Sequence, residues 1–395
     1  MSPCARFSWQ QTVLKLRDLV SIVTRRRTAL GIVSSAVVAS TAVTTYRDHG
    51  NIGDWHFFAE MSRQLTSRHG LLVYAEHPDI QSGPLSLLTV RLLDALGSIG
   101  FPIAIAVLGV ITVLVLERTR PHPRRSELPF LLGGVLFALW WPHVHVWGHI
   151  DDAIVLTLAS VLLLLMLRGK PIPAAVVLGL MLAVKPWAVF LVPLLAWRGA
   201  PGWRRFRPTM VCLAVGGALW SPFVIASIKT IDGFRPHVDV APDSVLNLFG
   251  VAPDHVPSGL RFVQLGLAIA AVAAVTLWRD RPAGALLAGV AVRLALEPAT
   301  WNYYTVGFIV GAFMWDMSIS TRRVPWATAA AFALLPPALV FQSPDLRAVL
   351  RLVACVGALA IVLWPTRGTS STSRAVQFTL PDTGWRPVGA DTQRD

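Results

Sequence analysis

Apolar segments long enough to cross a lipid bilayer recur along almost the whole chain, and short clusters of arginine and lysine separate them. A membrane-spanning helix needs about 20 mainly apolar residues, because the hydrocarbon core is about 30 Å thick. Only 14% of the 395 residues are charged, whereas soluble domains have about 25%, and the mean hydropathy is +0.57. The pattern predicts an all-α membrane protein with many transmembrane helices.

The net charge of +13 does not indicate nucleic-acid binding. The basic residues lie in short clusters between apolar segments rather than along one face or in one tail, which is the pattern of membrane topology. The three cysteines, Cys4, Cys212 and Cys355, are far apart and have no CxxC spacing or neighbouring histidine. We therefore expect no disulfide, no structural zinc site and no nucleic-acid partner.

Clusters of basic residues mark cytoplasmic helix ends, and threading the chain by this rule places both termini in the cytoplasm. It predicts a cytoplasmic segment over residues 1–27, a transmembrane domain over 28–365 and a tail over 366–395 whose Ser, Thr, Pro and Gly content is typical of disorder. The main extracytoplasmic loops would be 47–100 and 229–259. About 12 transmembrane helices are predicted: residues 28–46, 101–116, 128–144, 153–167, 172–184, 187–197, 209–228, 260–278, 283–296, 303–319, 324–341 and 346–364.

Two segments near the N-terminus each allow a second interpretation. Residues 25–27 are three arginines before an apolar run, which also resembles a secretory signal peptide. The run is long enough to span, so we predict an uncleaved first helix. Residues 83–96 are apolar but too short to cross comfortably, and they carry Arg91 and Asp94 three positions apart. We predict an amphipathic helix in the membrane interface, because counting it as a span would move the next basic cluster outside.

Charged residues gather at the predicted outer ends of helices that are distant in sequence. A charge within a membrane segment is costly unless it is paired or hydrated, so Lys185 and Arg293 are candidates for function. A second interpretation is that each pairs with a nearby carboxylate and only joins helices. The candidates at these ends are Asp54 and His56 after the first helix, His149, Asp151 and Asp152 after the third, Lys185 after the fifth, and Arg293, Glu297, Asn302, Tyr303 and Tyr304 around the ninth.

Histidine and tryptophan near these ends suggest two further roles. His145 and His149 could bind a divalent metal from one helix face, but only if the helix continues through Gly148, and the chain has no HExxH motif. We therefore expect no metal or other cofactor. Many of the 15 tryptophans lie at predicted helix ends, where anchoring in the membrane interface explains most of them. Stacking of a sugar ring is the alternative for Trp55, Trp147 and Trp301.

Five short motifs in this order together resemble the GT-C superfamily of integral-membrane glycosyltransferases, in particular the actinobacterial polyprenyl-phosphate-mannose-dependent mannosyltransferases. The resemblance covers about residues 28–320, and Ile150 departs from it, because members often have proline at that place. The motifs are Gly53-Asp54, Gly83-Pro84-Leu85, Gly148-His149-Ile150-Asp151-Asp152, the run from Leu178-Gly179-Leu180 to Ala183-Val184-Lys185-Pro186-Trp187, and Asn302-Tyr303-Tyr304.

The resemblance implies transfer of mannose from a polyprenyl-phosphate donor to a hydroxyl of a cell-envelope glycolipid or glycan, at the outer face of the plasma membrane. Asp54 would be the general base, which takes the acceptor proton in a single, inverting displacement. Lys185 and Arg293 would bind the donor phosphate. The other candidates, His56, His149, Asp151, Asp152, Glu297, Asn302, Tyr303 and Tyr304, would line the substrate site.

Two other functions would use the same residues differently. Arabinose is also carried on polyprenyl phosphate, so a polyprenyl-phosphate-arabinose-dependent transferase is the first alternative. A transporter or flippase of lipid-linked sugars is the second. A transporter would place its charges near the middle of the bilayer on broken helices of repeated halves, and a flippase would not need Asp54. Here the charges lie at helix ends and no repeat is visible, which favours the transferase.

Overall fold

The part of the chain that the structure describes is helical, and no strand occurs in it. This computed structural model describes residues 7–47, 53–121, 127–197, 202–234, 238–251, 256, 258–299, 301–319 and 324–364. Residues up to Leu363 pack as one unit. The predicted tail over 366–395 and the first residues of the predicted segment 1–27 lie outside the described residues.

The described residues contain seventeen α-helices, together with shorter 3-10 helices and loops. A 3-10 helix, Pro186–Ala196, follows the ninth, and one π-helical turn, Ala274–Trp278, follows the twelfth. In chain order the helices are α1 (Phe7–Arg47), α2 (Trp55–Leu65), α3 (Val73–Glu76), α4 (Pro84–Asp94), α5 (Gly100–Thr119), α6 (Glu127–Trp140), α7 (His143–Val146), α8 (Ile150–Leu167), α9 (Pro171–Val184), α10 (Arg207–Ala226), α11 (Val245–Leu248), α12 (Ser258–Ala273), α13 (Ala285–Ala295), α14 (Asn302–Ile319), α15 (Trp326–Leu334), α16 (Pro337–Val340) and α17 (Pro344–Leu363).

Burial separates the central helices of the bundle from the peripheral ones. The span that contains α8 is 72% buried, whereas the span that contains α10 is only 17% buried. Helix α14 is buried along almost its whole length and packs against α13, α15 and α6. Helices that are apolar on all sides but exposed on most of them must face lipid. The prediction of a helical protein embedded in the membrane is therefore confirmed.

Seven helices among the described residues are long and apolar enough to cross a bilayer. The count of 12 remains a prediction, because several predicted spans are shorter in the structure. Helix α13 has 11 residues, or about 16 Å at 1.5 Å per residue, against a core of about 30 Å. The seven are Arg25–Arg47, Gly97–Thr119, Glu127–Val146, Ile150–Leu167, Gly202–Ala226, Gly259–Trp278 and Pro344–Leu363.

Prolines account for two departures from the predicted helices. The predicted span 324–341 is wrong as a single helix, because α15 ends at Leu334 and α16 begins at Pro337, the second residue of a Pro-Pro pair. The predicted span 187–197 is a 3-10 helix that contains Pro193. A third departure lies at the N-terminus, where α1 begins at Phe7 and runs through residues 25–27 instead of beginning at residue 28.

Helix α4 matches the predicted interfacial helix 83–96. Its buried face includes Leu87 and Val90. The opposite face leaves Leu88, Leu92 and Leu96 exposed at 46%, 71% and 66%, four residues apart along the helix and just beyond its end. An exposed apolar stripe beside a packed face is what a helix lying in the membrane surface requires.

Candidate functional site

Two adjacent carboxylates in the first turn of α8 hold the ammonium group of Lys185. Its Nζ atom donates to Asp152 Oδ2 at 2.5 Å and lies 2.9 Å from Asp151 Oδ2, and all three side chains are buried. Helix α9 ends at Val184 because Pro186 disfavours helical backbone at the residue before it, and Lys185 is extended at φ −154°. The end of α9 thus presents Lys185 to the start of α8.

His149 joins this buried pair of carboxylates to the exposed Asp54. Its Nδ1 lies 3.3 Å from Asp151 Oδ1 and its Nε2 lies 3.3 Å from Asp54 Oδ2. The imidazole stacks on the Tyr303 ring with centroids 3.7 Å apart. Burial lowers the pKa of His149, but its contacts with Asp151 and Asp54 outweigh that effect and hold this pKa above its usual value. His149 therefore links the buried carboxylate of Asp151 to the exposed carboxylate of Asp54.

The Asp54 carboxylate is 57% exposed, and a close contact between two loops fixes its backbone. Its N–H donates to the Trp147 carbonyl at 3.1 Å. Gly148 has φ +75°, and a Cβ atom there would lie 2.5 Å from the Trp55 nitrogen. Gly53 approaches the same loop, where a Cβ would lie 2.9 Å from Trp147 Cα. Only glycine fits these two positions, so the sequence around them sets the distance from Asp54 to His149.

Gly148→Ala should therefore disturb Asp54 far more than its local backbone cost suggests. Gly97 is the matched control, because it has φ +72° but nothing within 4 Å of a Cβ. Gly148→Ala and Gly97→Ala each cost about 1–2 kcal/mol of stability, because alanine disfavours left-handed backbone. Only Gly148→Ala also pushes the two loops apart. A displacement of this kind can cost about a hundredfold in rate.

The comparison of the two glycine variants needs thermal stability and activity in parallel. We expect a larger loss of Tm in Gly148→Ala than in Gly97→Ala, because only Gly148→Ala adds a clash with backbone, and a loss of activity in Gly148→Ala alone. Equal activities in the two alanine variants would show that the contact between the loops does not position Asp54.

The half-buried Arg293 forms a second centre with the buried Glu297. Its Nε lies 3.3 Å from Glu297 Oε2, and its guanidinium lies over the rings of Trp187 and Tyr304, with Cζ 4.8 Å and 5.0 Å from their centroids. Helix α13 ends two residues before Glu297, so both side chains reach the same end of the bundle. Flanked by two aromatic rings, the guanidinium plane has a fixed orientation.

Two residues that the sequence analysis did not select complete this centre. Arg261 Nη1 donates to Glu297 Oε1 at 2.7 Å, and Gln264 Nε2 donates to Glu297 Oε2 at 3.1 Å and to the Arg293 carbonyl at 2.8 Å. Both lie near the start of α12. The one signal in the sequence was Arg261, a basic residue at the start of the predicted span 260–278. The sequence alone does not distinguish it from a solvated arginine of the preceding loop.

Ser82 also escaped the sequence analysis. Its hydroxyl donates to Asp151 Oδ2 at 2.7 Å, and the next residue, Gly83, donates its N–H to the Val184 carbonyl at 2.7 Å. A Cβ at Gly83 would lie 2.1 Å from the Ala183 carbonyl oxygen. The start of the interfacial helix is thus held directly against the end of α9, beside the buried carboxylates.

A small cavity lies between α8, α13 and α14 and connects the two centres. Asp152 and Arg293 both line it, and Lys185, which contacts Asp152, has its Nζ 5.6 Å from the Tyr303 centroid. Leu156, Val290, Leu294 and Gly307 form its apolar part, and Asp152, Trp187, Arg293, Glu297, Tyr303 and Tyr304 its polar and aromatic part.

The two centres form one continuous cluster. From His149 the contacts run through Tyr303 to Tyr304, with centroids 4.4 Å apart, and on to Arg293. The predicted residues Asp54, His149, Asp151, Asp152, Lys185, Arg293, Glu297, Tyr303 and Tyr304 therefore meet at one end of the bundle, which we call the site end.

Two predicted site residues have no part in these contacts. His56 is exposed on α2. Asn302 begins α14, where its carbonyl accepts a hydrogen bond from the Thr305 hydroxyl at 2.6 Å. His56 and Asn302 were predicted because they lie close to Asp54 and Tyr303 along the chain. In a helix, however, residues one or two positions apart point in different directions.

His149, Asp151 and Asp152 are the one group among the described residues whose ligand atoms could hold a metal, since these atoms lie within 4.8 Å of one another. Lys185 already supplies a positive charge to both carboxylates. A divalent ion would therefore have to displace an ammonium group. His145 and His149 do not share one helix face, because α7 ends at Val146 and Gly148 turns the chain.

No protein-family model, curated protein or solved structure matches this chain.

Proposed function

We propose that this protein is a membrane glycosyltransferase that moves a sugar from a polyprenyl-phosphate donor to an acceptor hydroxyl. The observation that carries the proposal is the continuous cluster at the site end, in which an exposed carboxylate, Asp54, is joined to a cavity lined by Arg293. Displacement of a sugar from a phosphate needs a base and a cation, and this cluster contains both.

Asp54 is the proposed general base. The acceptor oxygen attacks the anomeric carbon, its proton passes to the Asp54 carboxylate, and the bond from carbon to phosphate oxygen breaks. The electron pair leaves with the polyprenyl phosphate. His149 contacts Asp54 from the buried side and is held by Asp151, so it orients the carboxylate. A single displacement of this kind inverts the anomeric centre, and the sugar proposed from the resemblance is mannose.

Arg293 is the cation best placed for the donor phosphate. Its guanidinium lines the cavity between two aromatic rings, and a planar fork of donors suits two phosphate oxygens. Lys185 stands one layer deeper, where it neutralises Asp151 and Asp152. We propose that Lys185 stabilises the wall of the cavity and balances its charge, and that it does not contact the phosphate directly.

The site end is proposed to face the outside of the plasma membrane, with both termini in the cytoplasm. The positive-inside rule supports this side, because the arginine clusters lie at the other ends of the helices. A head group on a lipid reaches such a site from the bilayer, beside the exposed leucines of α4. The acceptor is a hydroxyl group accessible from outside.

Transport of a lipid-linked sugar is the second candidate, and the buried pairing of Lys185 with two carboxylates favours it, because ion-coupled carriers often hold such clusters. Purified protein in proteoliposomes with radiolabelled polyprenyl-phosphate mannose and a membrane-lipid acceptor separates the two. A transferase releases free polyprenyl phosphate in step with labelled product. A transporter moves the donor between leaflets and leaves it chemically intact, which would contradict the proposal.

A further inference from the structure

Arg351 carries a buried charge inside α17, one of the helices that are long and apolar enough to cross the membrane. Its side chain is 1% exposed. A charge at such a place is costly unless it is paired, and charges of this kind are rarely without a role. The sequence analysis did not select Arg351, and the proposed reaction does not use it. The contacts of its guanidinium indicate what the charge does.

The guanidinium of Arg351 holds Asp243, which lies in the loop 238–251 that contains α11. Its Nη1 donates to the Asp243 carbonyl at 2.5 Å, and its Nη2 donates to Asp243 Oδ2 at 3.0 Å. Arg347, one turn earlier on α17, has its Nη1 3.5 Å from the same carboxylate oxygen. Because Arg351 bonds to the backbone and the side chain of Asp243 together, it fixes the loop and not only a side chain.

This loop is packed into the bundle and has a second point of attachment. Its Val240 and Leu246 side chains are buried. The Ala241 N–H donates to the Pro298 carbonyl at 2.8 Å. Ala241 lies two residues before Asp243, so the loop joins α17 to the segment of chain that follows α13.

The second attachment point lies next to Glu297, the carboxylate of the Arg293 centre. Helix α13 ends two residues before Glu297, so the backbone of Glu297 and Pro298 lies beyond the helix, where the bond from Ala241 holds it. The Glu297 carboxylate contacts Arg293 Nε at 3.3 Å and Arg261 Nη1 at 2.7 Å. The residue that orients both guanidiniums is therefore adjacent in the chain to the residue that the loop holds.

We propose that Arg351 is a positioning residue of the candidate site. By holding Asp243 it keeps the loop hydrogen-bonded to Pro298. That contact fixes the Glu297 carboxylate against the Arg293 guanidinium. Arg351 is not among the residues that line the cavity, so it acts through this chain of contacts and not on the ligand. The inference rests on the proposed function, because it concerns the cation assigned to the donor phosphate.

The double substitution of Arg351→Met with Asp243→Asn tests the inference in a folded protein. Arg351→Met alone leaves a buried carboxylate without its main partner and should destabilise the chain. The pair of substitutions removes one charge of each sign, so much of the lost unfolding temperature should return, although the bonds that hold the loop are gone. Arg351→Lys is the milder variant, which keeps the charge but not the planar fork of donors.

Two measurements on each variant in nanodiscs separate position from stability: hydrogen exchange at the Ala241 amide and binding of polyprenyl phosphate. In the double variant we expect faster exchange at Ala241 and about tenfold weaker binding, with smaller changes of both in Arg351→Lys. In the transfer assay the donor KM should rise more than kcat falls, because the contacts of Asp54 are untouched. A role in stability alone would recover with the unfolding temperature.

Arg347→Met is the matched control, because Arg347 lies one turn away on α17 and contacts the same carboxylate. Its removal leaves both bonds from Arg351 to Asp243 in place, so exchange at Ala241 and binding should stay as in the wild type.

Wild-type exchange at Ala241 in the double variant, wild-type binding despite faster exchange, or an equal loss in Arg347→Met would each overturn the inference. A wild type that binds no polyprenyl phosphate would overturn it together with the donor site. If binding depends on Arg351 while the wild type transfers no sugar, the positioning role stands and the transferase proposal fails. If the wild type transfers sugar and the double variant has an unchanged donor KM, the transferase stands and the positioning role fails.

Discussion

Asp54→Asn should reduce sugar transfer by about a hundredfold or more, because the amide keeps the size of the side chain but cannot take a proton. Asp54 is more than half exposed, and its ionic contact is with His149 alone among the described residues. The substitution should therefore leave the fold and the binding of donor almost unchanged. The measurement is the initial rate of label transfer from polyprenyl-phosphate mannose in membranes with equal amounts of wild-type and variant protein.

Glu60→Gln is the matched control for Asp54→Asn. Glu60 is another carboxylate of the same segment, 55% exposed at its side chain and paired with Arg63 on the surface of α2. The surface pair contributes little stability, so this variant should transfer sugar at the wild-type rate. Undiminished transfer by Asp54→Asn would remove Asp54 from the mechanism, and an equal loss in both variants would point to a general effect of surface charge.

Lys185→Met should destabilise the protein by about 3–5 kcal/mol, because it leaves two buried carboxylates without their shared cation. At the site end three buried or half-buried cations, Lys185, Arg261 and Arg293, face the carboxylates Asp151, Asp152 and Glu297. Removing one positive charge breaks this balance inside a poorly solvated region. The measurement is the thermal unfolding temperature in detergent, with activity beside it.

Lys185→Met combined with Asp152→Asn separates the structural role of the lysine from its role in the site. The pair of substitutions removes one charge of each sign, so much of the lost stability should return. Activity should stay low, because Asp152 lines the cavity. A Lys185→Met protein with the wild-type unfolding temperature would contradict the buried pairing, and full recovery of activity in the double variant would make the lysine purely structural.

The class of the fold could be predicted because membrane helices carry their signal locally. Apolar length and the positions of arginine predicted the helical bundle, and a separate short helix was predicted where α4 lies. The lengths of α13 and α15 could not be predicted, because a central helix shielded by its neighbours need not cover the full bilayer. A proline pair at Pro336 was visible in the sequence, but its effect on the predicted span was underestimated.

The sequence predicted which residues gather at the candidate site, but not which of them contact one another. Topology alone grouped Asp54, Lys185 and Arg293 at one side of the membrane. The sequence left open whether Lys185 pairs with a carboxylate, and the structure shows that it pairs with two. Contacts such as Ser82 with Asp151 join residues 69 apart. No local pattern encodes them, since they depend on how neighbouring helices pack.

The position of a bound polyprenyl phosphate tests the assignment of the site most directly. A cryo-electron microscopy structure of the protein in nanodiscs with saturating polyprenyl phosphate, the proposed leaving group, would locate the phosphate. We predict it in the cavity between α8, α13 and α14, with its oxygens about 3 Å from the Arg293 guanidinium and its lipid chain leading out to the bilayer. A phosphate bound at the opposite end of the bundle, or an unfilled cavity at saturation, would contradict a donor site at Arg293.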